Sequence, residues 1–220
     1  MSIRLISTLL ISIASASVFA APVPATPYET NENLTSRTFL NVGEASEDGC
    51  DKRVDYFDFN TIAKSYIHNV NLMNETTDAP CLELNYQWYY SHGLKTKGYQ
   101  VVYNGYPTDY SISLSKIWRV LKEEMREGES WGNYNQRTVH FPDSTPFPAG
   151  TEYHKTTFIA VENVSVPAGD FQNCLVIEDL VNFGEGPQTR IYYFCNETGV
   201  ARYIHVESGV DWQLQSYTEN

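Results

Sequence analysis

The sequence predicts a mainly β fold built on an antiparallel sheet, with at most one or two short helices. Three observations carry that prediction. The 220 residues include 16 Tyr and 10 Phe, a composition that suits pleated, half-buried surfaces better than helix bundles. Short runs alternating apolar and polar residues recur between turns bearing Gly, Pro and Asn, which is the pattern of a meander. Residues 161–203 form a unit in which strand pattern, turn chemistry and cysteine placement agree with one another.

Residues 1–20 (MSIRLISTLLISIASASVFA) carry one basic residue, Arg4, then a short apolar run and small residues before Ala21. This is the pattern of a secretory signal peptide, and the run is too short and serine-rich for a membrane span. The expected organisation is a signal peptide at 1–20, a flexible leader at 21–49, and a single β-rich domain at 50–220. The leader is rich in Pro, Thr, Asn and Ser, with one short strand expected at 38–42. No cysteine stands at the cleavage point, so no lipid anchor is expected, and no later run is apolar enough to span a bilayer. The product is expected to be soluble, in the periplasm or secreted.

Within the domain, residues 53–59 alternate, with Val54, Tyr56 and Asp58 on one face and Asp55, Phe57 and Phe59 on the other. Residues 66–72 alternate more weakly, and 74–80 read as a loop. Residues 82–90 (LELNYQWYY) put Leu82, Leu84, Tyr86, Trp88 and Tyr90 on one face, the pattern of a half-buried strand. Further strands are expected at 98–103 and 110–114, separated by His92-Gly93 and Asn104-Gly105-Tyr106-Pro107 turns. At 115–126 (SKIWRVLKEEMR), Ile117, Trp118, Leu121 and Met125 recur at helical spacing. Local propensity therefore favours a short helix, although Trp118, Val120 and Lys122 also alternate as a strand would. Gly128-Glu129-Ser130-Trp131 reads as a turn, and strands are expected at 138–141, 151–161 and 210–217.

In the best-patterned unit, 174–181 (CLVIEDLV) and 189–195 (TRIYYFC) are strand-like, and Asn182-Phe183-Gly184-Glu185-Gly186-Pro187 lies between them. Two glycines and a proline make that segment a hairpin loop. If the arms fold symmetrically about Gly184 and Glu185, Cys174 faces Cys195 at a distance a disulfide bridges. Upstream, Pro167-Ala168-Gly169-Asp170 reads as a tight turn, and Gly199 turns the chain into a strand at 200–206. The four cysteines, Cys50, Cys81, Cys174 and Cys195, suggest two disulfides in an oxidising compartment, with three possible connectivities. The hairpin favours Cys174 with Cys195, leaving Cys50 with Cys81. Zinc is the rival reading, but no CxxC pair supports it, and no metal or cofactor is expected.

The net charge is −12, and loss of Arg4 with the signal peptide makes it more negative. Such a chain repels phosphate backbones, so nucleic-acid binding is not expected. The five histidines, His68, His92, His140, His154 and His205, form no metal-binding or zincin motif. Convergence of His140, Glu152, His154 and His205 is one arrangement that a folded sheet could bring about. Glu123, Glu124, Glu127 and Glu129 cluster around Gly128 and read first as a solvated face, since glycoside hydrolysis needs two carboxylates across a cleft. GxSxG, GxGxxG and P-loop patterns are absent, and no catalytic residue is assigned. The polar-tipped aromatics are more suggestive. Tyr86, Trp88, Tyr90, Trp118, Trp131, Tyr192 and Trp212 are the candidates to line a ligand pocket, set against the plainer reading that they pack a core. Asn33, Asn74, Asn163 and Asn196 begin glycosylation sequons, which matter only in a eukaryotic host.

Trp131 after a Gly turn, the run VSVPAGDFQNCL at 164–175, Tyr192-Tyr193-Phe194, and Gly199-Val200-Ala201-Arg202-Tyr203 together resemble an uncharacterised group of bacterial envelope proteins and lipoproteins with TapB-like domains of unknown function. Asp55-Tyr56-Phe57 is similar to the start of such domains. The resemblance covers about 128–203. It implies a curved sheet, a half-barrel or open barrel like the lipoprotein carriers, in a periplasmic or surface setting, and it implies no catalytic residues. It also turns the 116–122 segment into strand or loop. This chain departs from the group in lacking a lipobox and in having Asn196-Glu197-Thr198 before the glycine. Three functions are compatible with these readings: binding of an apolar ligand, lipid or envelope protein partner on the concave face; hydrolysis of envelope polymers; or a purely structural or surface-interaction role.

Overall fold

A computed structural model describes residues 21–25, 28, 32–44, 49–90, 93–103, 110–184, 186–196 and 198–219. The signal-peptide segment, the residue His92 and the expected turn at 104–107 lie outside the described residues. The described residues form fourteen strands: β1 (Val23–Pro24), β2 (Leu34–Asn41), β3 (Lys52–Asn60), β4 (Ser65–Met73), β5 (Pro80–Tyr89), β6 (Lys95–Tyr103), β7 (Tyr110–Arg119), β8 (Glu124–Met125), β9 (Ser130–His140), β10 (Phe147–Val166), β11 (Gly169–Asn182), β12 (Pro187–Cys195), β13 (Gly199–His205) and β14 (Val210–Glu219). Twelve of them close into one antiparallel barrel in the order β10-β11-β12-β13-β14-β2-β3-β4-β5-β6-β7-β9. The fold is thus mainly β and curved, and the curvature runs to full closure, so the barrel has no free edge among its strands.

Closure uses two pairings far apart in sequence. β2 lies between β14 and β3 (Trp212↔Asn41 and Tyr217↔Arg37 on one side, Ser36↔Tyr56 on the other). The strand expected at 38–42 within the leader is therefore longer and is a member of the barrel wall. At the other closure, β9 pairs with both β10 and β7. Two glycines permit close backbone approach in this region. A Cβ on Gly132 would meet the His154 carbonyl oxygen at 2.0 Å, and one on Gly98 would meet that of Ile112 at 2.2 Å. Neither position accepts a side chain without moving the neighbouring strand.

The short helix favoured locally at 115–126 is replaced by the end of β7, a bend, and β8. Trp118 and Val120 are buried while Ile117 and Arg119 face out, which is period-two alternation. Tertiary pairing decides this: Lys95↔Arg119 and Thr96↔Trp118 continue the β6–β7 ladder through the segment, and sheet burial overrides a weak helical preference. β8 then pairs with β1 (Val23↔Met125). Ala25, Leu121 and Met125 are fully buried in the main core with Trp118, Phe158 and Ile177. A second core gathers Phe39, Val164, Trp212 and Leu214 around Cys174 and Cys195.

The β11–β12 register is symmetric about the expected centre, from Asn182↔Pro187 to Leu175↔Phe194, and Cys174 is bonded to Cys195. The second disulfide joins Cys50 to Cys81. Pro167 and Ala168 make the two-residue turn between β10 and β11, with Val166 opposite Gly169.

Candidate functional site

Strand alternation decides what faces the lumen. Tyr66, His68, Val70 and Leu72 of β4, Leu82, Leu84, Tyr86 and Trp88 of β5, and Arg190, Tyr192 and Phe194 of β12 all border one interior chamber of about 1220 Å³. A second chamber of about 310 Å³ adjoins it and is bordered by Tyr99, Tyr110, Arg137, Glu152, His154 and Phe183. Leu84, Tyr86, Trp118 and Arg190 border both, so these four side chains mark the junction.

Of the seven aromatic candidates, Tyr86, Trp88, Trp118, Tyr192 and Trp212 border the larger chamber. Tyr86 stacks on Trp88 at 5.6 Å between ring centres, and Trp88 packs on Trp118 at 5.7 Å. The other two lie elsewhere. Tyr90 packs in the core against Tyr66 at 6.2 Å. Trp131 lies beyond the lumen, where its Nε1 donates to the Arg119 carbonyl at 2.8 Å and the Lys122 ammonium sits 5.2 Å from the ring centre.

Charged side chains line the same space, and hydrophobic patterning alone did not single out most of them. On the β2–β3–β4 wall, Asp55 is fully buried. Its carboxylate accepts from Arg37 at 2.9 Å and Arg53 at 2.7 Å, with His68 Nε2 3.0 Å away. Burial alone would raise the carboxyl's pKa, but Arg53, His68 and Arg37 hold it far below the usual carboxylate range. Burial dominates at His68 and lowers its pKa, against the pull of Asp55. The only signal for this cluster in the sequence is Asp55 sharing a strand face with Phe57 and Phe59.

In the smaller chamber, His154 lies between two carboxylates. Its Nδ1 is 3.3 Å from Asp179 and its Nε2 3.1 Å from Glu152, and the ring stacks on Trp118 at 4.4 Å. Burial would lower the His154 pKa, yet hydrogen bonds to Asp179 and Glu152 outweigh it and raise the pKa. Thr156 donates to the other Asp179 oxygen at 3.1 Å, while Glu152 Oε2 is buried without a partner. Glu152 and His154 therefore meet as β10 neighbours two apart, joined by Asp179 from β11. His140 and His205 do not join them: His140 contacts Ser113 at 2.8 Å and His205 contacts Ser208 at 2.8 Å. Around Gly128, Glu129 pairs with Lys122 and accepts from the Arg126 amide at 3.1 Å, as a surface turn does. Among the described residues no group of three or more His, Cys, Asp or Glu side chains is arranged to hold a metal ion.

No family model matches the chain, and no curated protein matches it. The resemblance to TapB-like envelope proteins rests on the residues that suggested it. Among solved structures, the chain is similar to one described as a "putative exported protein with YmcC-like fold" from Bacteroides fragilis, at 9% identity and a TM-score of 0.44, over 86% of this chain and 98% of that one.

Proposed function

We propose that the protein is an exported barrel that binds a small apolar ligand, such as a lipid chain, inside its lumen. The observation that carries this reading is the larger chamber. Its volume suits a drug- or lipid-sized ligand, and its walls combine aromatic faces (Tyr86, Trp88, Trp118, Tyr192, Trp212) with Val70, Leu72, Leu82 and Leu94. Such walls shed poorly ordered water to an apolar guest. Two disulfides support a setting outside the cytoplasm. The test is native mass spectrometry of protein exported to an oxidising compartment, together with fluorescence titration against lipid extracts. A co-purified adduct lost on denaturation is expected. Ligand should quench Trp88, Trp118 and Trp212, and a Trp131→Phe variant should retain the response. A bare apo mass with no quenching sinks the reading.

Hydrolysis of envelope polymers is the second reading, and the Glu152–His154–Asp179 arrangement is what favours it, because a histidine oriented by carboxylates is poised for proton transfer. It predicts turnover that His154→Asn abolishes without loss of fold.

A further inference from the structure

We infer that the lumen ligand is an anionic amphiphile whose oxyanion, a carboxylate or a phosphate, seats on Arg190 at the junction of the two chambers, with its hydrocarbon body in the larger one. This rests on the interior-binding reading above and specifies the ligand's chemistry.

The other arginines of the lumen wall have protein partners. Arg37 and Arg53 are committed to Asp55, and Arg137 donates to the Ala149 carbonyl at 2.9 Å. Arg190 is different. Its Nε is buried without an acceptor, as are those of Arg37 and Arg137, but among the described residues it is the one of the four with no ion pair within 4.0 Å and no side-chain hydrogen bond. The Phe183 ring lies 5.6 Å from the guanidinium, Tyr203, Tyr192 and Tyr86 act on it electrostatically, and the Asp179 carboxylate on the facing strand acts on it from beyond ion-pair distance. A desolvated guanidinium whose facing carboxylate is bonded elsewhere lacks a direct partner, and a ligand oxyanion supplies one in bidentate geometry.

Two further orphans point the same way. Trp88 Nε1 and Trp118 Nε1 are buried N–H donors without acceptors, both on the chamber wall. An indole N–H only donates, so a ligand meeting Arg190, Trp88 and Trp118 must bring acceptors. Of the carboxylates nearest the junction, Asp179 is held through both oxygens by His154 and Thr156, and Glu152 through one oxygen by His154. Arg137 and Arg190 match Glu152 and Asp179 in formal charge around the smaller chamber, and of these two arginines Arg190 is the one that also borders the larger chamber. The guest's tail then meets the aliphatic and aromatic wall of β4 and β5.

The experiment is isothermal titration of the mature, oxidised protein with decanoate, decyl phosphate and decan-1-ol, all below their aggregation limits. The wild type should bind at least one oxyanion roughly tenfold more tightly than the alcohol, as expected for one charge-assisted hydrogen-bond pair, and comparing the two oxyanions tells carboxylate from phosphate. Arg190→Gln should erase the preference while leaving decanol affinity unchanged, which also shows that the chamber is intact. Arg190→Lys should retain part of it. Equal wild-type affinity for all three probes, or an undiminished preference in Arg190→Gln, overturns the anchor but leaves the interior site standing. Absence of binding by every probe overturns both.

Discussion

At the residue scale, Asp55 and His154 are each held by charged neighbours, so removing one partner is costly. Asp55→Ala leaves Arg37, Arg53 and His68 without their shared carboxylate. Breaking such a buried cluster should destabilise by about 3–5 kcal/mol, read as a lower denaturant midpoint. A loss under 1 kcal/mol would contradict the picture. The native carboxyl of Asp55 titrates below its unfolded value, so its contribution is complete above about pH 4 and fades as pH falls further. His154 has the opposite sign. Its native pKa is raised, so the stability it adds is complete below about pH 6.5 and is lost as pH rises through the native value. Its ring resonances should titrate with a midpoint above 6.5, and His154→Asn should flatten the decline in wild-type stability on the alkaline side. His68, with a lowered pKa, acts in the other direction, stability falling as pH drops below about 6.5 toward its native value, and His154→Asn leaves that acid-side effect in place. The pairing of Glu152 with His154 was open to sequence reading because they sit two apart on one strand face. Asp179 was not, since only the β10–β11 register (Thr156↔Asp179) brings it there.

At the element scale, the β11–β12 hairpin was the most legible part of the chain. Its loop chemistry, its symmetric register and its cysteines all depend on residues close in sequence, where pattern is informative. In the chain-entropy account, each of the two disulfides, spanning separations of 21 and 31 residues, stabilises by about 3 to 4 kcal/mol. Replacing Cys174 and Cys195 by Ser should lower the unfolding free energy by that amount, and an unchanged midpoint would show that the second core holds the hairpin without help. The β9–β10 contact gives a sharper test. Gly132→Ala puts a methyl into the His154 carbonyl, so the strands must part. A loss of about 2 kcal/mol or more is expected, with broadened His154 resonances because its backbone is the group displaced. Residues 115–126 were misread locally for a physical reason. The segment is amphipathic at both periods, and its state is decided by a ladder to β6 that sequence spacing does not encode.

At the scale of the whole molecule, the antiparallel β class followed from composition and turn spacing and the curvature from the resemblance to envelope proteins, but closure did not. Closure depends on pairing β2 with β14 and β7 with β9, contacts whose partners lie far apart or skip a strand. The lumen was legible only in part for the same reason. The even-numbered face of β5 could be read as buried, whereas its meeting with Arg190 and Trp118 is a product of the ring. Deleting residues 210–219 removes β14 and exposes β2 and β13 as open edges, which pair readily with other chains. The truncated protein should aggregate in size-exclusion chromatography, whereas a monodisperse monomer would mean that β13 closes directly on β2.

The seam between β2 and β14 also sets an order in time. Thr35 donates to the Thr218 carbonyl across 183 residues of sequence, so the wall cannot be completed until β14 has found β2. Contacts this distant pay the full loop-closure entropy and are made late. Until that seam forms, the wall stays open between β2 and β14, and anything that is to occupy the lumen has its widest entrance during that interval.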